Sequence, residues 1–190
     1  MLLFCDREAN EIYTELIVCS VRCVSDTVSK LSIISNDFVD GGEIPKECGY
    51  KHGNEKPHID FIFGETEPFP WAMIMDDPDA MAAVGRVWVH WLLSNLSPQT
   101  VAILTGETPM KTLEEGEEDD QIDYLKGKTD FDEIGYGGPA PPNGRHTYIF
   151  KGYALDTILD LKEGYSKQEL EDAMKGHIIA EAKLTGTFTP

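Results

Sequence analysis

Hydrophobic and polar positions alternate with a period of two along much of this chain, and only one stretch lengthens to the period of a helix. Cys19, Val21 and Cys23 alternate with Ser20, Arg22 and Ser25, which predicts a strand. Leu31, Ile33 and Ser35 alternate with Ser32 and Asn36, another strand, and Asp40-Gly41-Gly42 then marks a turn before Pro45 closes the segment. Over 58–64, Ile59, Phe61 and Phe63 oppose Asp60 and Ile62. WAMIMDD (71–77) is a short continuous apolar run that ends in two acids, as a buried strand would. VWVHWLLSNL (87–96) is longer and rich in aromatics. VAIL (101–104) and HTYIFKGYAL (146–155) complete the strand candidates before the C-terminal region.

The helical period begins at Ser166, which forms an S-x-x-E capping box with Glu169. Leu170, Ala173, Met174, His177 and Ile178 then share one predicted helix face. KLTGTF (183–188) predicts a final short strand. Residues 105–134 break the pattern. They include EEGEEDD (114–120), six acids in seven residues, and predict a solvated acidic loop. Many strands, one good helix and long loops predict a mainly β domain of antiparallel sheets. A chain of 190 residues fits one domain spanning 1–190, with 1–30 the least clearly placed part.

Composition narrows the function. With 41% hydrophobic residues the chain can fill a core. No apolar run reaches the roughly 20 residues that span a bilayer. The stretch Leu16 to Val24 is interrupted by Arg22, and the acidic N-terminus lacks the features of a signal peptide. A cytoplasmic location follows as an expectation. The net charge of −18 argues against nucleic acid, which needs Lys and Arg at its phosphates. Cys5, Cys19, Cys23 and Cys48, even with His52 and His58 near the last, fit no zinc spacing, so reduced thiols and no metal are expected.

Three short segments carry candidate chemistry. In DDPDA (76–80), Pro78 fixes the backbone between Asp77 and Asp79 and so aims two carboxylates. His90 lies within Trp88-Val89-His90-Trp91-Leu92, where a desolvated imidazole loses its proton unless a carboxylate holds it. The DDPDA acids are the candidate partners. In GYGGPAPPNGRHTY (135–148), Gly137 and Gly138 allow positive φ or close backbone approach, and three prolines stiffen the loop. His146 and Tyr148, two apart on a strand, share a face. Taken singly, each segment also reads as ordinary structure: a strand-end turn, a core histidine, a proline-rich hairpin.

Together these segments resemble the phosphatidylethanolamine-binding protein family, which includes the Raf kinase inhibitor protein and many prokaryotic relatives. FVDGGEIP (38–45), VHWLLSNL and the tail KGHIIAEAKLTGTF add to the likeness, which runs from about Leu31 to Phe188. The resemblance implies a large antiparallel sheet packed with a smaller one, peripheral helices and a small anion pocket. Carried over residue by residue, that pocket is Asp77, Asp79, His90, Gly138, Pro139, His146 and Tyr148. It implies a phosphate-bearing small molecule or phospholipid headgroup as ligand, without a cofactor, and it also allows a kinase or protease as partner and a homodimer. Two positions depart from the family pattern. Met81 replaces a proline, which is expected to loosen the turn after Asp79, and Thr147 replaces an arginine, which is expected to remove a cation near the pocket. There is no G-x-S-x-G elbow, and Cys48 lacks a partner, so a non-catalytic binder is expected ahead of a hydrolase.

Overall fold

The computed structural model describes residues 31–62, 70–97 and 124–190. Its elements in chain order are β1 (Ser32–Ile34), β2 (Gly42–Glu43), a 3-10 turn (Lys46–Cys48), β3 (Asp60–Ile62), β4 (Trp71–Asp77), α1 (Met81–Val84), β5 (Trp88–Leu96), β6 (Leu125–Lys126), β7 (His146–Leu155), α2 (Lys167–Met174) and β8 (Ile178–Phe188). Six strands form one sheet in the order β2-β8-β7-β4-β5-β6, and β1 pairs with β3 in a second, two-stranded sheet. Every pairing is antiparallel except the short parallel contact between β2 and β8. This is the mainly β, two-sheet architecture with few helices that the alternating pattern predicts.

The continuous apolar run of β4 has a simple cause. The strand lies near the middle of the large sheet with both faces covered, so all seven of its residues are buried. On one face, Met73, Met75, Trp91 and Phe150 meet Ile33, Phe38 and Phe61 from the segment that carries the small sheet. Gly152 permits that approach, since a Cβ there would stand 2.6 Å from the Phe61 ring and 2.7 Å from Ile33. On the other face, Ile74, Leu92 and Leu155 meet Leu170 and Met174 of α2. Cys48 is buried in the first of these layers.

Two boundaries differ from the sequence expectation. The helix starts as predicted, with both capping-box bonds formed between Ser166 and Glu169. It stops at Met174, and Gly176 at φ 87° turns the chain. His177 therefore leaves the helix face and pairs with Asp156 at 2.8 Å, and Ile178 opens β8. β8 then runs eleven residues beside β7, well beyond the predicted 183–188, because the ladder to β7 continues from Ala180 through Ala182, where Ala180 and Ala182 alternate with the exposed Glu181 and Lys183. The acidic-loop expectation for 105–134 also fails over its last part. Residues 124–134 form β6, a bridge between Lys128 and Ile134, and a folded turn at Thr129–Asp132. The strands expected at 19–25 and 101–104, Phe63, and the acidic stretch 114–120 lie outside the described residues.

Candidate functional site

The C-terminal end of β4 meets the N-terminal ends of β5 and β7, and the candidate residues gather there. Strand alternation sends the two acids of β4 to opposite faces. Asp76 is buried on the α2 side, where Lys151 reaches it at 2.6 Å and Lys167 at 2.9 Å. Asp77 is buried on the other side. One carboxylate oxygen lies 2.7 Å from His146 Nδ1, and the other accepts the Ala80 N–H at 3.1 Å. Asp79 is exposed and holds no histidine. It accepts the Thr147 N–H at 2.7 Å, so the Asp-Pro-Asp turn grips the start of β7 twice, by the His146 ring and by the next amide.

His90 is placed by a β-bulge. Met75 pairs with Trp91 but Asp76 pairs with Val89, which leaves His90 as the extra residue of β5. Such an insertion re-aims a side chain without breaking the sheet. The expected carboxylate partner does not hold this ring. His90 Nδ1 instead donates to the Gly137 carbonyl at 2.7 Å, and the Gly137 N–H returns a bond to the His90 carbonyl at 2.8 Å. Burial lowers the proton affinity of His90 below that of an ordinary histidine, opposed in part by the Gly137 carbonyl and by Asp77.

The glycine loop serves close approach, and the amides of Gly137 and Gly138 are not free donors. A Cβ on Gly138 would stand 2.1 Å from the Cys48 carbonyl oxygen, and one on Gly137 would stand 2.5 Å from the Phe131 ring. The Gly138 N–H is bound to Asn54 Oδ1 at 2.7 Å, and the Pro139 carbonyl accepts the Tyr50 N–H at 2.9 Å. The Gly137 and Gly138 amides are therefore both engaged within the protein. Gly138 and Pro139 fasten the loop to residues 48–54, while Ala140 and Pro142 form a pocket wall.

His146 and Tyr148 do share a face of β7, as their spacing predicts, and both are buried. The Tyr148 ring meets the His90 ring edge to face at 5.1 Å. Its hydroxyl makes no well-formed hydrogen bond among the described residues, although the Ala140 amide and the Asp77 carboxylate lie near enough to act on it. Burial, reinforced by Asp77, holds that phenol protonated well above its ordinary range.

His90 and His146 border a pocket of about 180 Å³, and the Tyr148 hydroxyl is enclosed outside its lining. Asp77, His90 and His146 are its polar lining. Ala80, Ala83 and Val84 of α1 and its approach form one side, and Trp88 with Phe131 forms another. Phe131 also stacks on Tyr50 at 4.2 Å and meets His90 at 5.4 Å. Neither Nε2 of the two pocket histidines bonds to any described residue, so both remain open to a ligand. Among the described residues no Lys or Arg lines the pocket. Among the described residues no three His, Cys, Asp or Glu side chains gather as metal ligands would. No described helix is long and apolar enough to cross a membrane.

Sequence reasoning missed the apolar walls. Phe131 fell within the expected acidic loop. A lone aromatic in Thr129-Asp130-Phe131-Asp132, between Gly127 and Gly135, was the available sign that this stretch packs. Both departures from the family pattern also have milder effects than expected. Met81 takes the first helical position of α1, and its N–H still closes on the Pro78 carbonyl at 3.2 Å, so the turn is not loosened. Thr147 lies on the opposite face of β7 from His146 and Tyr148, so an arginine there would point away from the pocket.

Comparison with known proteins agrees with this geometry. The family model described as Phosphatidylethanolamine-binding protein matches residues 34–189. A UPF0098 protein of Methanothermobacter thermautotrophicus is 36% identical over 160 residues, which is 83% of this chain and 98% of the relative. The crystal structure of a putative phosphatidylethanolamine-binding protein homologue from Chlamydia trachomatis superposes with a TM-score of 0.69 at 34% identity, covering 85% of this chain and 99% of the other. YbcL of Escherichia coli shares the fold with a TM-score of 0.66 at 24% identity, over 85% of this chain and 99% of its own. With its two sheets, the Asp-Pro-Asp turn, the bulged histidine and the glycine-proline loop assembled at one sheet end, the chain belongs to the phosphatidylethanolamine-binding protein family.

Proposed function

We propose that this protein binds a small phosphate-bearing ligand, such as a phospholipid headgroup or a phosphorylated small molecule, at the pocket between β4, β5 and β7, and does not turn it over. The observation that carries this reading is the pair of imidazoles, each fixed through Nδ1, whose Nε2 atoms open onto one small pocket. Proposed ligand-binding residues are His90 and His146, with Tyr148 packed against the His90 ring, Asp77 holding His146, and Asp79, Gly138 and Pro139 positioning the loops. A volume near 180 Å³ is below the roughly 300 Å³ at which drug-sized pockets begin, and suits a headgroup.

The non-catalytic part rests on the surroundings of the histidines. Burial, reinforced by neighbouring acids, pushes the Cys48 thiol up to about 12, far from a usable thiolate. Ser94 is buried within β5. A cytoplasmic setting agrees with a free thiol at Cys48. A second reading, regulation of a protein partner such as a kinase or protease, draws support from Met81 and Val84, half exposed on the short helix beside the pocket.

Calorimetric titration with phosphoethanolamine at pH 6 tests the ligand reading. Binding is expected, and His146→Ala should weaken it at least tenfold. Absence of binding by the parent protein, or an unchanged affinity in the variant, would remove the pocket from consideration as the phosphate site.

A further inference from the structure

Hydrogen-bond directions inside the pocket narrow the ligand class, granted the phosphate-binding reading above. A carbonyl oxygen only accepts, so the 2.7 Å contact with the Gly137 carbonyl places a hydrogen on His90 Nδ1. The neutral ring then presents a bare lone pair at Nε2. Charging this ring is costly, since His90 is 2% exposed and burial lowers its proton affinity. The groups that face it are Asp77 from β4, His146 and Tyr148 from β7, and the uncharged Phe131 ring. Asp76, on the other face of β4, is already matched by Lys151 and Lys167.

The other two groups behave differently. His146 Nδ1 meets the Asp77 carboxylate at 2.7 Å, so this ring stands beside an acid where the His90 ring meets only a carbonyl. The Tyr148 hydroxyl is buried near the Asp77 carboxylate and outside the pocket lining, so it supplies no donor to a ligand there. His90 Nε2 is therefore a fixed acceptor in the pocket lining. An anion that only accepts leaves His90 Nε2 facing an oxygen lone pair.

We propose that the pocket selects a phosphomonoester carrying one proton, whose P–OH donates to His90 Nε2 while His146 Nε2 donates to another phosphate oxygen. A phosphodiester has no proton to give. It must either forgo that hydrogen bond or force a charge onto the buried ring. A monoester loses its second proton near pH 6. Above that, the arriving dianion must gain a proton from solvent, and the complex keeps it in the O–H···N bond to His90.

The test is a calorimetric comparison of two isomers of equal size, monoethyl phosphate and dimethyl phosphate, with the full chain. Titrations at pH 6 and pH 8 in two buffers of different ionisation enthalpy count the protons taken up. The monoester should bind at least about tenfold more tightly at pH 6, the loss expected for one hydrogen bond to a charged group. At pH 8 its binding should take up one proton or more. If the diester binds as well as the monoester, or the monoester binds at pH 8 without proton uptake, this proposal fails while the phosphate site stands. If neither isomer binds, both fail.

Discussion

Asp77→Asn separates two electrostatic pictures of the pocket. The side chain keeps its size, but an amide cannot serve both present contacts. Asp77 accepts from His146 Nδ1 at 2.7 Å with one oxygen and from the Ala80 N–H at 3.1 Å with the other. Asparagine must turn its NH2 toward one of those donors, and His146 loses its charge partner in either case. If His146 donates to the phosphate as an imidazolium, the substitution removes a hydrogen bond to a charged group, about 1.5–3 kcal/mol. That corresponds to roughly a ten- to hundredfold weaker phosphate complex at pH 7. The opposing effect is not small. A carboxylate roughly 6 Å from a bound anion, at an effective dielectric near 20, repels it by about 3 kcal/mol. If His146 were neutral in the complex, removing Asp77 would therefore tighten binding by a similar factor. The sign of the change decides between the two. Calorimetry of phosphoethanolamine with parent and Asp77→Asn protein at pH 7 should show weakening. Tighter binding in the variant would refute the imidazolium picture.

Two further expectations concern stability. Gly138→Ala places a methyl group 2.1 Å from the Cys48 carbonyl oxygen and 2.8 Å from the Tyr50 nitrogen, both backbone atoms, so the 137–140 loop must shift. A loss of about 2–3 kcal/mol or more is expected in chemical denaturation, and an unchanged midpoint would show that the loop is not fastened there. His90 has a folded-state proton affinity lowered by burial, so the unfolded chain protonates near pH 6.5 while the folded chain does not. Its contribution is full above that pH and falls as pH drops, by up to about 1.4 kcal/mol per unit until the folded ring titrates. His90→Gln should flatten this part of the stability profile between pH 7.5 and 5, and a parallel profile would argue against a neutral buried ring.

Much of this protein is legible in the order of its residues. Period-two alternation marks β1, β3 and β7, the continuous apolar run marks β4 as buried on both faces, and Ser166 with Glu169 fixes the start of α2. These signals are local, because each reflects which side of a strand or helix faces the core. The pairing of His146 with Tyr148 is legible for the same reason. The sequence could not say which of Asp76, Asp77 and Asp79 would reach a histidine. That depends on which face of β4 each one leaves and on where β7 lies beside it. Nor could it show that His90 is a bulge residue held by a carbonyl, since a bulge exists only in the register between two strands. Phe131 became a pocket wall because Gly137 leaves room for its ring, a contact across six residues of chain that no periodicity encodes. Residue type and spacing thus determined the elements and the candidate chemistry. The direction of each hydrogen bond, and with it which groups donate and which accept, was decided only when strands distant in sequence came into register.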